Sequence, residues 1–241
     1  MSETLLTTVD GVSASALAGV ALVAMLHAAL GPDHYLPFVM LARARRWSLQ
    51  RTLVVTGACG LGHVMSSLLL GGLGLALGSA VGTLEQIEGQ RGELAAWALV
   101  AFGFAYALLG VRHAWRRRKG LELHGHTGHV HLHAGGDHRH AHAGKLRHER
   151  TFWALFIVFL LGPCEPLIPF FVVPASQDRL GLALLMGLVF CLTTLGTMLV
   201  MVAAATKGVQ RLRLSVLERW SHALAGAVLV GSGGAMLMLG P

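Results

Sequence analysis

The sequence predicts an all-α polytopic membrane protein: six transmembrane helices in two inverted three-helix repeats, with the first and fourth helices broken. Three observations carry this. Hydrophobic residues make up 54% of the 241 and charged residues only 13%, where a soluble domain carries about 25% charged. The apolar residues gather into runs of the length that spans a bilayer as a helix, about 20 residues. A Gly-Pro interruption also occurs twice, each time at the head of a block of three such runs.

The spans are placed as follows. The first runs from about Ser13 to Leu30 and breaks at Gly31-Pro32. The second runs from about Leu53 to Val81, the third from Leu94 to Val111. The fourth covers Phe152 to Pro174, interrupted at Gly162-Pro163; the fifth covers Leu180 to Ala205 and the sixth His222 to Leu239. Met1 to Gly11 contains no Lys or Arg, so it lacks the basic region of a signal peptide, and the first run is read as a retained span. The 31 glycines suit close helix contact in lipid.

The charges fix an orientation. Arg43, Arg45, Arg46 and Arg51 follow the first span, Arg112 and Arg116 to Lys119 the third, and Lys207, Arg211, Arg213 and Arg219 the fifth. The intervening loops hold only Arg91, with Glu85, Glu88 and Glu93, and Arg179. The positive-inside rule places the three basic loops in the cytoplasm and both termini outside, in a multi-pass protein of the inner or plasma membrane. The net charge of +7 lies in these loops, so it serves orientation and nucleic acid is excluded as a partner. Cys59, Cys164 and Cys191 all lie in apolar runs, and an odd number at membrane depth gives no disulfide framework.

Leu30-Gly31-Pro32-Asp33-His34-Tyr35-Leu36-Pro37-Phe38 is similar to Leu161-Gly162-Pro163-Cys164-Glu165-Pro166-Leu167-Ile168-Pro169-Phe170. Each string opens three spans. Three is odd, so the second block enters the membrane from the opposite side, which is the inverted-repeat plan of many transporters, with the substrate site between broken helices. The division is therefore residues 1–118, first repeat; 119–150, a His-rich cytoplasmic loop; 151–241, second repeat.

Chemistry-bearing residues cluster at the breaks. Pro32 has no amide hydrogen and crowds the carbonyl of Ala28, so the helix must break or kink. The freed backbone groups cannot face lipid. His27, Asp33 and His34 share this stretch, and imidazole with carboxylate suits Ni, Co, Zn or Fe. His63 lies mid-span among apolar neighbours and is a fourth candidate ligand. Cys164 and Glu165 stand at the second break and complete a metal site or a proton-coupling site. The blander readings are a helix cap at the membrane surface for Asp33 and His34, packed His for His63, and a protonated structural Glu165. Between the repeats lie His124, His126, His129, His131, His133, His138, His140, His142 and His148, a composition that binds metal with little selectivity and reads as a buffering loop.

On these strings the sequence resembles the nickel/cobalt transporter superfamily, nearest its small six-span, UreH-like urease-accessory group. The resemblance covers residues 20 to 240. It implies a secondary transporter, not an enzyme, that moves Ni²⁺ or Co²⁺ as cargo past His27, Asp33, His34 and His63. Uptake is favoured over efflux, no organic cofactor is implied, and the partners are the bilayer, the divalent ion and a metallochaperone or nickel-enzyme maturation protein. One departure concerns His27: nickel permeases have one residue fewer before Asp-His than the five here. An extra residue turns a helix by about 100°, which weakens His27 relative to Asp33 and His34.

Two alternatives stand beside this. Membrane thiol-disulfide carriers of the cytochrome-biogenesis type also have inverted three-span repeats with Pro-Cys near each break, and Pro163-Cys164 fits them. The matching position in the first repeat is Asp33, so a two-cysteine relay needs Cys59 or Cys191. The other alternative is a non-transporting accessory protein that stores metal on its His loop.

Overall fold

The computed structural model describes residues 14–77, 81–118, 151–211 and 215–239, and among these every regular element is helical. The first half contains α1 (Ala14–Leu30), a single 3₁₀ turn (Pro32–His34), α2 (Leu36–Arg45), α3 (Leu49–Ala76) and α4 (Val81–Arg118). The second contains α5 (Thr151–Leu161), α6 (Leu167–Ser176), α7 (Leu180–Arg211) and α8 (Ser215–Leu239). Among the described residues, four helices are long and apolar enough to cross a membrane, and five spans result if the bent pair around the first break counts as one. The chain is a multi-pass membrane protein. Leu22, Leu69, Leu73, Trp97, Leu184, Leu192 and Val200 point outward, as a lipid-facing surface requires.

The six expected spans are met unevenly. The first is bent by 78° between α1 and the segment Pro32–Arg45. The fourth resolves into two short helices, α5 and α6, neither of which alone reaches across. The third is much longer than expected: α4 starts at Val81 and takes in Glu85, Glu88, Arg91 and Glu93, which the sequence placed in a loop. Charges read as loop residues when taken singly. Glu88 and Arg91 are three apart on a helix and pair with one another, so they can be carried inside. The histidines between His124 and His148 lie outside the described residues.

The two halves have the same order of elements: a helix, a break, a ten-residue helix, then two long ones. In each half a tight turn follows the ten-residue helix, and each turn contains one non-glycine residue with positive φ, Arg46 (53°) and Asp178 (59°). At the first of these Trp47 N–H returns to the Ala42 carbonyl at 2.8 Å, which closes the helix end in the usual left-handed way. Ser48 then starts α3 by accepting from Arg51 N–H at 3.2 Å.

The halves interlock: α4 packs on α8, α1 and α3 on α7, and α2 on both α7 and α8. The α4–α8 contact is backbone to backbone. A Cβ at Gly103 would stand 2.7 Å from Val230 N, and one at Gly233 2.7 Å from Ala96 O, so only glycine allows this approach. At one end of this pair the hydroxyl of Tyr106 meets His222 Nδ1 at 2.9 Å and accepts from Arg45 Nε at 3.3 Å. Arg43 adds a bond to the Val209 carbonyl. These contacts tie α2 to the bundle and so hold the first break in place.

Candidate functional site at the paired helix breaks

The first break turns over a single 3₁₀ turn. Gly31 N–H still reaches the His27 carbonyl (3.2 Å), His34 N–H reaches Gly31 O (3.1 Å) and Tyr35 N–H reaches Pro32 O (3.4 Å). The backbone therefore looks after itself locally, as a buried helix end must, and the side chains are left for other work. His34 turns inward and is 4% exposed; His63, from the middle of α3, is 3% exposed.

The three imidazoles converge. Ring centroids of His27 and His34 are 4.7 Å apart, those of His34 and His63 5.3 Å, and those of His27 and His63 6.4 Å. One ring nitrogen from each lies within 4.8 Å of the others. His27 is thus in the cluster despite its extra residue. The rotation argument assumes one continuous helix, but α1 ends at Leu30 and the 3₁₀ turn resets the phase for His34.

Each inner imidazole has at least one ring nitrogen without a bonded partner. Asp33 Oδ2 lies 3.1 Å from His34 Nδ1, a close contact without hydrogen-bond alignment, so His34 Nδ1 and Nε2 both lack a bonded partner. His63 Nδ1 meets the Phe159 carbonyl at 3.3 Å, and its Nε2 has no partner. A cavity of about 430 Å³ is lined by His27, Asp33, His34, Pro163, Ser232 and Met236, among others. A second void, of about 20 Å³, lies deeper between Asp33, His34, His63, Phe159 and Met236.

The second break is built differently. The Leu160 carbonyl, near the end of α5, accepts from Arg91 NH2 at 2.8 Å. The Cys164 amide donates to Glu88 Oε2 at 3.2 Å, and Ser67 donates to the same oxygen at 3.2 Å. Arg91 pairs with Glu88 and donates to Ser66 Oγ at 2.8 Å. Glu88 is 0% exposed. One charged pair from α4 therefore supplies both the donor and the acceptor that the interrupted helix needs. The sequence reading missed this pair; the signal was the Glu88/Arg91 spacing within reach of an apolar run.

Cys164 is fully buried, and its Sγ lies 3.9 Å from His27 Nε2. It belongs to a cluster with Val20, Ala24, Leu167 and Phe190, against which Cys191 also packs. Glu165 is not in the imidazole cluster: its carboxylate lies over the α4 backbone, with Oε1 3.5 Å from where a Cβ on Gly89 would stand. Of the six expected ligands, three imidazoles are brought together, Asp33 stands behind one of them, Cys164 is beside another and Glu165 is elsewhere. Cys59 is buried in a separate core cluster with Phe38 and Met198.

A family described as cytochrome c biogenesis protein transmembrane region matches residues 18–235. No curated protein and no solved structure matches. The family match spans both breaks and nearly all of both halves. It overturns the likeness to the nickel/cobalt transporters and their urease-accessory group, and with it nickel or cobalt transport and uptake. The short His and Asp-His strings carried the choice, while Pro163-Cys164 pointed to the thiol carriers. The chain belongs to the cytochrome c biogenesis protein transmembrane-region family.

Proposed function

We propose that the protein passes reducing equivalents through the membrane by thiol-disulfide exchange, with Cys164 as the exchanging thiol. The observation that carries this is the position of Cys164 in the unwound second break, its Sγ 3.9 Å from His27 Nε2. The thiolate is the nucleophile in such exchange, and His27, with Nε2 3.9 Å from Sγ, is able to take its proton. Asp33 stands where a symmetric relay would have a second cysteine, so the partner on this chain is Cys191, which packs against the same cluster. As the Cys164–Cys191 bond forms, the two thiols give up two electrons and two protons, and a disulfide of a partner protein becomes a dithiol.

The repeated order of elements supports six crossings arranged as an inverted repeat. In that arrangement the breaks face each other and rocking of the halves exposes Cys164 to one side and then the other. The basic loops put residues 119–150 in the cytoplasm and both termini outside.

The test is thiol trapping in membrane vesicles. Oxidised wild-type protein is exposed on its cytoplasmic side to reduced thioredoxin, then alkylated with a mass tag. Two thiols should become reactive together in wild type and in Cys59→Ser, and the pair should be lost in Cys164→Ser and Cys191→Ser. Wild-type protein whose thiols never change state, or a Cys164→Ser protein that still relays electrons, sinks the proposal.

A further inference from the structure

From its donor atoms, the structure assigns a resident Cu(I) site to His27, His34 and His63, which has His27 in common with the thiol exchange at Cys164 but does not rest on it. Three facts converge. One ring nitrogen from each imidazole lies within 4.8 Å of the others. The Nε2 atoms of His34 and His63 are buried and have no hydrogen-bond partner, a costly arrangement unless something binds there. Behind each ring stands an oxygen at Nδ1: the Phe159 carbonyl meets that of His63, and an Asp33 carboxylate oxygen lies 3.1 Å from that of His34. Metal-ligating histidines show this arrangement, with one nitrogen oriented from behind and the other free for the ion.

The surroundings select the ion. The void of about 20 Å³ lined by His34 and His63 has room for about one water-sized particle, and His27 lies in the wall of the larger cavity beside it. The walls of the void include Met236, a thioether, and otherwise mainly apolar side chains. Imidazole with thioether is a soft set that favours Cu(I) over hard cations. Charge points the same way: among the described residues, Asp33 is the one carboxylate in the wall of this void. A single positive ion with neutral imidazoles balances it, whereas a divalent ion would leave a net charge in a membrane interior. The larger cavity shares Asp33, His34, Pro163 and Met236 with the void and so lies directly against it.

The experiment uses the full chain in nanodiscs, with the histidines from His124 to His148 replaced by Gln so that the loop cannot bind. Cu(I) is supplied with ascorbate and a competing Cu(I) chelator, and retained copper is counted per chain. The loop-substituted parent should keep one Cu(I), with an X-ray absorption spectrum of imidazole nitrogen ligation. His34→Ala and His63→Ala should each lose it, and Asp33→Asn should bind about 10- to 100-fold more weakly. Cys164→Ser should keep the copper while losing thiol exchange, which separates this assignment from the proposed function. Circular dichroism and gel filtration identify any variant that fails to fold, and the parent's spectrum decides the matter without variants. The assignment is overturned by a parent that retains no copper, by retention equal to the parent's in folded His34→Ala and His63→Ala, by a spectrum without imidazole, by Cys164→Ser losing copper that His34→Ala keeps, or by one Zn²⁺ held where Cu(I) is not.

Discussion

At the first break Leu30-Gly31-Pro32 leads into a 3₁₀ turn whose hydrogen bonds are all local, from His34 to Gly31 and from Tyr35 to Pro32. At the second, Leu161-Gly162-Pro163 has local bonds too, from Gly162 to Val158 and from Leu167 to Cys164, but it also reaches out to Glu88 and Arg91 on α4. The proline imposes the same problem in both places, since it leaves backbone groups unpaired in a region without water. Where the chain solves that problem with its own backbone alone, the neighbouring side chain stays free, and His34 keeps unpartnered nitrogens. Where it borrows side chains from another helix, the break becomes part of the packing of the fold. The first break is built for binding and the second for holding Cys164.

The largest test of this contrast is Glu88→Ala. It takes the charged acceptor away from Arg91, whose side chain is only 19% exposed, and it strands the Cys164 amide. Breaking a buried ion pair by removing one partner costs about 3–5 kcal/mol. Thermal unfolding in nanodiscs should show a loss of this size, larger than that for any single change at the first break. A Glu88→Ala protein as stable as Asp33→Ala would remove the distinction.

A smaller loss, of about 1–3 kcal/mol for an overpacked contact, is expected for Gly103→Val, which forces α4 away from α8. Because α4 carries Glu88 and Arg91 at one break and Ala95 and Leu99 in the wall of the void at the other, both should suffer together. Thiol trapping and copper retention read the two breaks independently. Loss of one readout with the other intact would show that α4 does not couple them.

His63→Leu should have the opposite sign. The change removes a buried nitrogen that has no partner and gives up one long contact to the Phe159 carbonyl. An unsatisfied buried polar atom costs about 1–3 kcal/mol, so stability should rise by about 1 kcal/mol while copper retention disappears. Stability given up at a site in return for function is a common pattern. A drop of several kcal/mol in thermal unfolding would mean that His63 is structural after all.

What the sequence disclosed follows from the range of each interaction. The apolar runs and both Gly-Pro breaks are local, since a span is a property of about 20 consecutive residues and a proline acts within a turn. They were legible, as were His34 and His63 as partners of the break. The interior place of Glu88 and Arg91 was not, because a charge looks like a loop residue until its partners, Leu160 and Cys164, arrive from the other half. His27 was weakened by a helical rotation that the break itself cancels. Met236 gave no signal, since a methionine in an apolar helix is ordinary and only the fold brings it to the void. The choice of family turned on short strings at the two breaks, on His63 and on the His-rich loop, whereas the match to 18–235 draws on the chain's whole length.

The smallest expected effect is at Glu165, which the sequence placed with the ligands. Its carboxylate extends over the α4 backbone near Gly89 rather than into the imidazole cluster, and it makes none of the bonds that hold the second break. The residue that does that work is Glu88, which accepts from the Cys164 amide. Glu165→Gln keeps the size and removes the charge. Away from buried networks such changes stay within about ±0.5 kcal/mol. Thermal unfolding, thiol trapping and copper retention should therefore all match wild type. If Glu165→Gln slows thiol exchange while leaving stability untouched, the second break has a chemical role beyond holding Cys164, and the division of labour between the two breaks is less complete than their hydrogen bonding suggests.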